Sequence, residues 1–397
     1  MGTSSLLSGR WSAAAVFVLA TSFSPIPVVS AEATFVQGGS AGFVVSDIKF
    51  ALGEDAAKTG ACPRGMSKDV EEIFATTPQG KRRKGEPDEQ YAKRLAAGGR
   101  ELSTGPNGQN LCMHPEAGAP DPHFRTIDSS NAPVDGIDLD GVDSSADMPA
   151  TVGVCRHQDF IGTKGESGID NQFYRLVGCN RSFQSGGQSN GFAVEMLTGS
   201  WGILLALGGI DDLRNDDEVE VALVANADPI QLSPGREPLS YATYAMDQDP
   251  RFRAKTRGRI KDSVLTTEPV DVRFRYVVNS MRLERPLRDA RLRVTISDDG
   301  TLEGYLSGYT PVEGMYDFLY GFRSAKNAAG ELAPLPLRMG SANGAARVLG
   351  HTCNGAYHAL YKYADAYPDP QTGRCTSIST QYRIKAIPAF VVDVAVR

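Results

Sequence analysis

Between Val134 and Arg181 the chain collects residue types that bind hard cations. From Asp128 to Asp147 there are six aspartates and no Lys or Arg. Asp138, Asp140 and Asp143 stand two and three residues apart, with Gly141 among them. Calcium takes about 6–8 oxygens from carboxylates and carbonyls, and glycine lets the backbone wrap the ion. Carboxylates at this density repel one another unless a positive charge sits among them, so the stretch predicts one calcium ion. The tripeptide Gly-Ile-Asp occurs at Gly136, Gly168 and Gly209. Asp170 and Asn171, which follow the second copy, are expected to complete the shell begun by Asp138 and Asp140. The alternative is a set of similar solvated turns.

Aligning Gly141 with the glycine of an EF-hand loop puts Asp138 and Asp140 at the third and fifth ligand positions and Asp147 at the twelfth. The stretch resembles that loop, and also the aspartate-rich loops of thrombospondin type 3 repeats. It departs from the EF-hand at the first position, which is Gly136 with Asp135 one residue off. The order Asp-Leu-Asp-Gly, Asp159-Phe160, Gly-Ile-Asp-Asn-Gln also resembles a group of uncharacterised exported bacterial proteins. That likeness implies no reaction.

A second pattern is basic. Arg251, Arg253, Lys255, Arg257, Arg259 and Lys261 fall on every second residue, which on a strand places all six on one face. From Arg251 to Arg293 there are 13 basic and 5 acidic residues. Three readings compete: a solvated edge strand charged against aggregation, a face for an anionic component of the cell envelope, and pairing with the protein's own acids. Gly187-Gln188-Ser189-Asn190-Gly191 fits the string of a hydrolase nucleophile elbow, with His351 or His358 as a formal base. An elbow needs a strand before it and a helix after it, and here the preceding residues are loop-like and a strand is expected to follow.

Six cysteines, Cys62, Cys112, Cys155, Cys179, Cys353 and Cys375, lie behind an export-type N-terminus. Arg10 is followed by an apolar run from Trp11 to Phe23 and by the small-residue site Val29-Ser30-Ala31. This predicts a signal peptide over 1–31, cleaved after Ala31, and a periplasmic or secreted protein. An oxidising compartment makes disulfides the default. Nearest-neighbour pairing gives Cys62–Cys112, Cys155–Cys179 and Cys353–Cys375. The neighbours His114, His157 and His351 offer a zinc or copper alternative. No stretch after the N-terminus approaches the ~18 apolar residues of a membrane span. A net charge of -6 argues against a nucleic-acid partner.

The elements that must position these residues are mostly strands. Gly42 to Leu52, Phe192 to Leu197, Trp201 to Leu207, Val219 to Leu223 and Val270 to Tyr276 carry apolar runs or alternation. Leu292 to Ile296 and Leu302 to Leu306 flank Asp298-Asp299-Gly300, a hairpin turn. Helices are expected from Ser67 through Phe74, from Pro87 to a stop at Gly98-Gly99, from Met315 to Phe322, and from Asn354 to Tyr367. A last strand, Ile384 to Val396, contains Pro388. The fold expected is mainly β, with a sandwich or jelly-roll-like core over 191–310. A loop-rich, disulfide-bonded region over 32–190 precedes it, and a small α/β part over 311–397 packs on it. The function expected is a calcium-stabilised structural or binding protein of the bacterial envelope. The alternative is an extracytoplasmic hydrolase using Ser189 or a carboxylate pair on an envelope polymer.

Overall fold

A computed structural model describes residues 35–128, 132–144, 155–187 and 196–394. The signal-peptide region, Asp147, Ser189 and residues 192–195 of the expected strand Phe192 to Leu197 lie outside the described residues. The described residues belong to one compact unit.

The molecule is mainly β. Nine strands carry the architecture: β1 (Ser40–Phe50), β2 (Ile203–Gly208), β3 (Asn215–Ala225), β4 (Arg253–Lys261), β5 (Val264–Thr267), β6 (Val270–Val278), β7 (Met281–Ile296), β8 (Leu302–Pro311) and β9 (Cys375–Pro388). All but β6 form a ring in which each strand pairs antiparallel with the next. The ring closes because β9 pairs with both β8 and β1. This corrects the expected sandwich or jelly roll. A closed ring removes the edge strands that a pair of packed sheets would leave.

The closing strands come from opposite ends of the chain, so the boundaries expected near 190 and 310 do not separate compact parts. Inside the ring, Val45, Leu205, Val221, Leu223, Leu265, Leu292, Val294, Leu306 and Ile384 are buried in one apolar cluster. The tight turns match the sequence. Gly300 has φ +82° between β7 and β8. Asp262-Ser263 and Asn279-Ser280 all have positive φ in the two-residue turns joining β4 to β5 and β6 to β7.

β6 pairs only with the first half of β7. This ribbon leaves the ring and packs back against β3 and β4.

Helices cover one side. α1 (Val70–Thr76) starts at Asp69, in a reciprocal capping box with Glu72, rather than at Ser67. α2 (Asp88–Glu101) runs through Gly98 and Gly99 instead of stopping there. A Cβ on Gly98 would lie 2.0 Å from the Phe74 ring. These glycines therefore serve close packing of α1 on α2, not termination. α3 (Gln172–Val177), α4 (Val312–Tyr316), α5 (Leu335–Leu349) and α6 (Cys353–Lys362) follow. α4 continues as a π turn over Asp317–Gly321. The expected helix over 354–367 ends early, and Tyr367 lies in a short strand, Ala366–Pro368, on β9. The expected last strand begins nine residues sooner, at Cys375, and Pro388 ends it.

The disulfides differ from all three nearest-neighbour pairs. They are Cys62–Cys179, Cys112–Cys353 and Cys155–Cys375, and no described cysteine is free. Cysteine spacing cannot anticipate pairs 117, 241 and 220 residues apart, because tertiary packing, not chain proximity, brings them together. With every thiol oxidised, the zinc or copper reading fails as well.

Candidate metal centre

The outer face of β8 and β9 is polar and covered. Ser307, Tyr309, Ser379 and Gln381 all lie on one side of these paired strands, where Ser307 stands opposite Gln381 and Tyr309 opposite Ser379. All four are buried. The loop segments 134–144 and 159–172 lie over this face, and Gln381 holds them both. Its Nε2 donates to the carbonyls of Ile137 (2.9 Å) and Asp170 (2.7 Å), and its Oε1 accepts from the Ile137 N–H (3.2 Å). Phe160 and Ile169 exchange both backbone hydrogen bonds at 3.0 Å, closing the second segment into a hairpin. Buried Ile137 and Leu139 pack on Tyr309.

This scaffold brings Asp138, Asp140 and Asp170 together. One carboxylate oxygen from each lies within 4.8 Å of the others. Asp138 and Asp140 are exposed and Asp170 is buried. Each is oriented by a backbone N–H: Gly141 donates to Asp138 Oδ1 (2.6 Å), Val142 to Asp140 Oδ1 (2.8 Å) and Leu139 to Asp170 Oδ2 (2.6 Å). Gly141 sits at φ +77° at the turn that makes this possible. Among the described residues, none of the three is ion-paired with a Lys or Arg. Each carboxylate keeps one oxygen beyond these backbone bonds, so the set can coordinate a hard divalent cation.

The electrostatics follow from crowding. Burial is the main cause that raises Asp170, to about 9, against the Leu139 N–H; Asp159, Asp140 and Asp365 add repulsion. Burial likewise raises Asp159, to about 6, with repulsion from Asp140, Asp143 and Asp138, while the Ser144 N–H (2.6 Å) opposes the shift. Desolvation raises Asp365 to about 7. Its Oδ1 accepts from the Ser379 N–H at 2.7 Å. Several acids thus share one region whose charge is unfavourable without a cation or protons.

The other expected ligands fall outside the triad. Asp143 is exposed and adds repulsion to Asp159. Asn171 caps α3: its Oδ1 accepts from Tyr174 N–H (3.1 Å) and its Nδ2 donates to Ala51 O (2.7 Å). Its side chain is thus committed to structure. Asp135, one residue off the EF-hand frame, pairs with Arg383. The expected Cys155–Cys179 bridge is absent, and Gln381 holds the two segments. Asp159 stood in the sequence only as part of a string, and Asp365 gave no local signal, because it arrives through the pairing of 366–368 with β9.

The basic run lies elsewhere. Arg251 is in a 3₁₀ turn (Pro250–Phe252), so the strand face begins at Arg253. β4 pairs with β3 along its length and with β5 over Gly258–Lys261, so its second half is not an edge strand. Arg251 pairs with Asp249 and Glu284, Arg253 with Asp393, and Arg257 with Glu218. Lys255, Arg259 and Lys261 are exposed and carry no carboxylate partner among the described residues.

His351 is buried. Its ring contacts Tyr320 at 4.6 Å, and Nδ1 meets Asn180 Nδ2 at 2.8 Å. Burial lowers its pKa to about 4. No protein-family model, curated protein or solved structure matches the chain.

Proposed function

We propose that this chain is an exported, calcium-stabilised structural or binding protein of the bacterial envelope. The observation that carries the reading is the convergence of Asp138, Asp140 and Asp170, which come from two segments and, among the described residues, have no basic side chain to neutralise them. Calcium held there ties the 134–144 segment to the 159–172 segment over the closing strand of the barrel, and its role is structural. Three disulfides suit an oxidising compartment, and no helix among the described residues is long and apolar enough to cross a membrane. Lys255, Arg259 and Lys261 offer an anionic envelope component three unneutralised cations on one strand face.

The serine form of the hydrolase alternative draws no support from the described residues. Ser189 lies outside the described residues, and the His351 ring is enclosed by Tyr320, Phe124 and Asn180.

The test is a thermal melt of the full chain in calcium and in chelator. An ion that binds only the folded state adds about 2.7 kcal/mol at a hundredfold excess over Kd, which is several degrees at about 2–4 °C per kcal/mol. Asp138→Ala combined with Asp140→Ala should abolish that increment and leave the fold. Equal melting temperatures in calcium and chelator for the unmodified chain would sink the reading. For the basic face, Lys255→Glu with Arg259→Glu should weaken retention on an anionic polysaccharide matrix. That retention should also fall with salt, which screens exposed charges beyond about 8 Å at physiological ionic strength.

A further inference from the structure

A pocket of about 370 Å³ opens at the end of the barrel where β2 and β4 begin and β3 ends. Trp201, Phe252, Val277 and Leu283 supply its apolar wall. A few hundred Å³ with an aromatic wall is a usual size for a small-molecule site, and eight of the fifteen lining residues here are polar or charged.

One feature of the wall points to an anion. Arg282 and Lys326, both lining the pocket, exchange their backbone hydrogen bonds at 2.8 Å in each direction. They are therefore a directly opposed antiparallel pair with side chains on the same face. Like charges in that position repel. Arg282 Nη1 donates to the Ala328 carbonyl (3.1 Å), but neither residue has a carboxylate partner among the described residues. The other cations of the wall are already matched, Arg251 by Asp249 and Glu284, and Arg275 by Asp247.

We propose that this pocket binds a small organic acid, its apolar body against Trp201, Phe252 and Val277 and its carboxylate between Arg282 and Lys326. Asp228 and Glu284 on the rim disfavour a polyanion and limit the charge to a single acid group. The proposal is independent of the calcium reading and of the exposed face of β4.

The test uses octanoate, with octan-1-ol as its uncharged counterpart, titrated calorimetrically into the full chain in the presence of chelator. Octanoate should bind saturably at one site and shift the emission of Trp201, with Trp201→Phe as the spectroscopic control. Octan-1-ol should bind about tenfold more weakly or less, as expected when a charge-assisted hydrogen bond is lost. Arg282→Gln with Lys326→Gln should lower octanoate affinity by at least about tenfold and abolish the preference over octan-1-ol. Lys326→Gln alone, at an exposed position, should lower affinity without lowering the melting temperature, since it relieves a like-charge contact. Lys255→Glu with Arg259→Glu should leave octanoate binding unchanged. Absence of saturable binding, equal affinity for octanoate and octan-1-ol, or wild-type affinity in the Arg282/Lys326 variant would each overturn the proposal.

Discussion

The barrel and the loop layer over β8 and β9 are neighbours held by different forces. In the barrel, backbone groups pair along eight strands and the interior is filled by buried aliphatic side chains. In the loop layer, regular pairing is sparse. Its order comes from single side chains that reach far along the chain: Gln381 to Ile137 and Asp170, Asn171 to Ala51, and Cys155 to Cys375. Apolar burial is non-directional and tolerates exchange of one residue for a similar one. A layer built on individual hydrogen bonds and cross-links has no such redundancy. Local opening should therefore begin in the loops while the ring stays closed.

The largest expected effect separates the two. Leu205→Ala truncates a fully buried side chain in the barrel and should cost about 2–5 kcal/mol. Because the ring unfolds as a unit, amide exchange should accelerate across β1, β2, β3 and β9 together. Removing the Cys155–Cys375 bridge by serine substitution also costs on the order of 2–5 kcal/mol, but its effect should concentrate in the loop layer. Exchange should rise at Phe160, Ile169 and Leu139, while Leu204 and Val224 stay protected. If both variants accelerate the same amides, the loop layer and the barrel form one cooperative unit and the contrast fails.

The same contrast governs what can be read from sequence. The barrel strands announce themselves wherever one face is apolar and the other wet. Val219, Val221 and Leu223 alternate with exposed or half-buried neighbours, and so do Val272, Phe274 and Tyr276 on β6 outside the ring. β9 from Cys375 to Arg383 does not, because both its faces are buried and one of them is polar: Ser377, Ser379 and Gln381 are at or below 1% exposure. A run of Thr, Ser and Gln reads as a loop until the layer that uses those groups is known. Ring closure, the Cys155–Cys375 bridge and the convergence of Asp159 and Asp365 all depend on β9, so all of them were illegible. The triad was partly legible, since Asp138 and Asp140 share one short loop and Asp170 repeats the Gly-Ile-Asp context. The signal failed at Asn171, where a capping role and a ligand role call for the same residue type.

The smallest expected effect is a pH slope that belongs to the loop layer. Asp170 and Asp365 have folded pKa values of about 9 and about 7 against an ordinary 3.8. Above pH 4 the unfolded chain has released these protons while the folded chain still holds them. The folded state then binds more protons, so stability falls as pH rises from about 4 toward 9. His351 has the opposite sign. Its pKa is lowered to about 4 from 6.5, so the unfolded chain binds the extra proton and stability rises with pH across about 4 to 6.5. Above pH 7 the histidine no longer contributes, and the carboxylate slope stands alone. In chelator, melting temperature should therefore decline between pH 7 and 9, and Asp170→Asn should flatten the decline. The amide oxygen can still accept from Leu139 N–H, so the variant keeps the loop in place while removing the titration. Calcium should act in the reverse direction: a cation competes with protons for the same oxygens, so its stabilisation should grow from pH 6 to 9 in the unmodified chain. A chelator melt that is flat over pH 7–9, or a decline undiminished in Asp170→Asn, would show that Asp170 carries no strained charge, and that it is solvated as an ordinary surface acid would be.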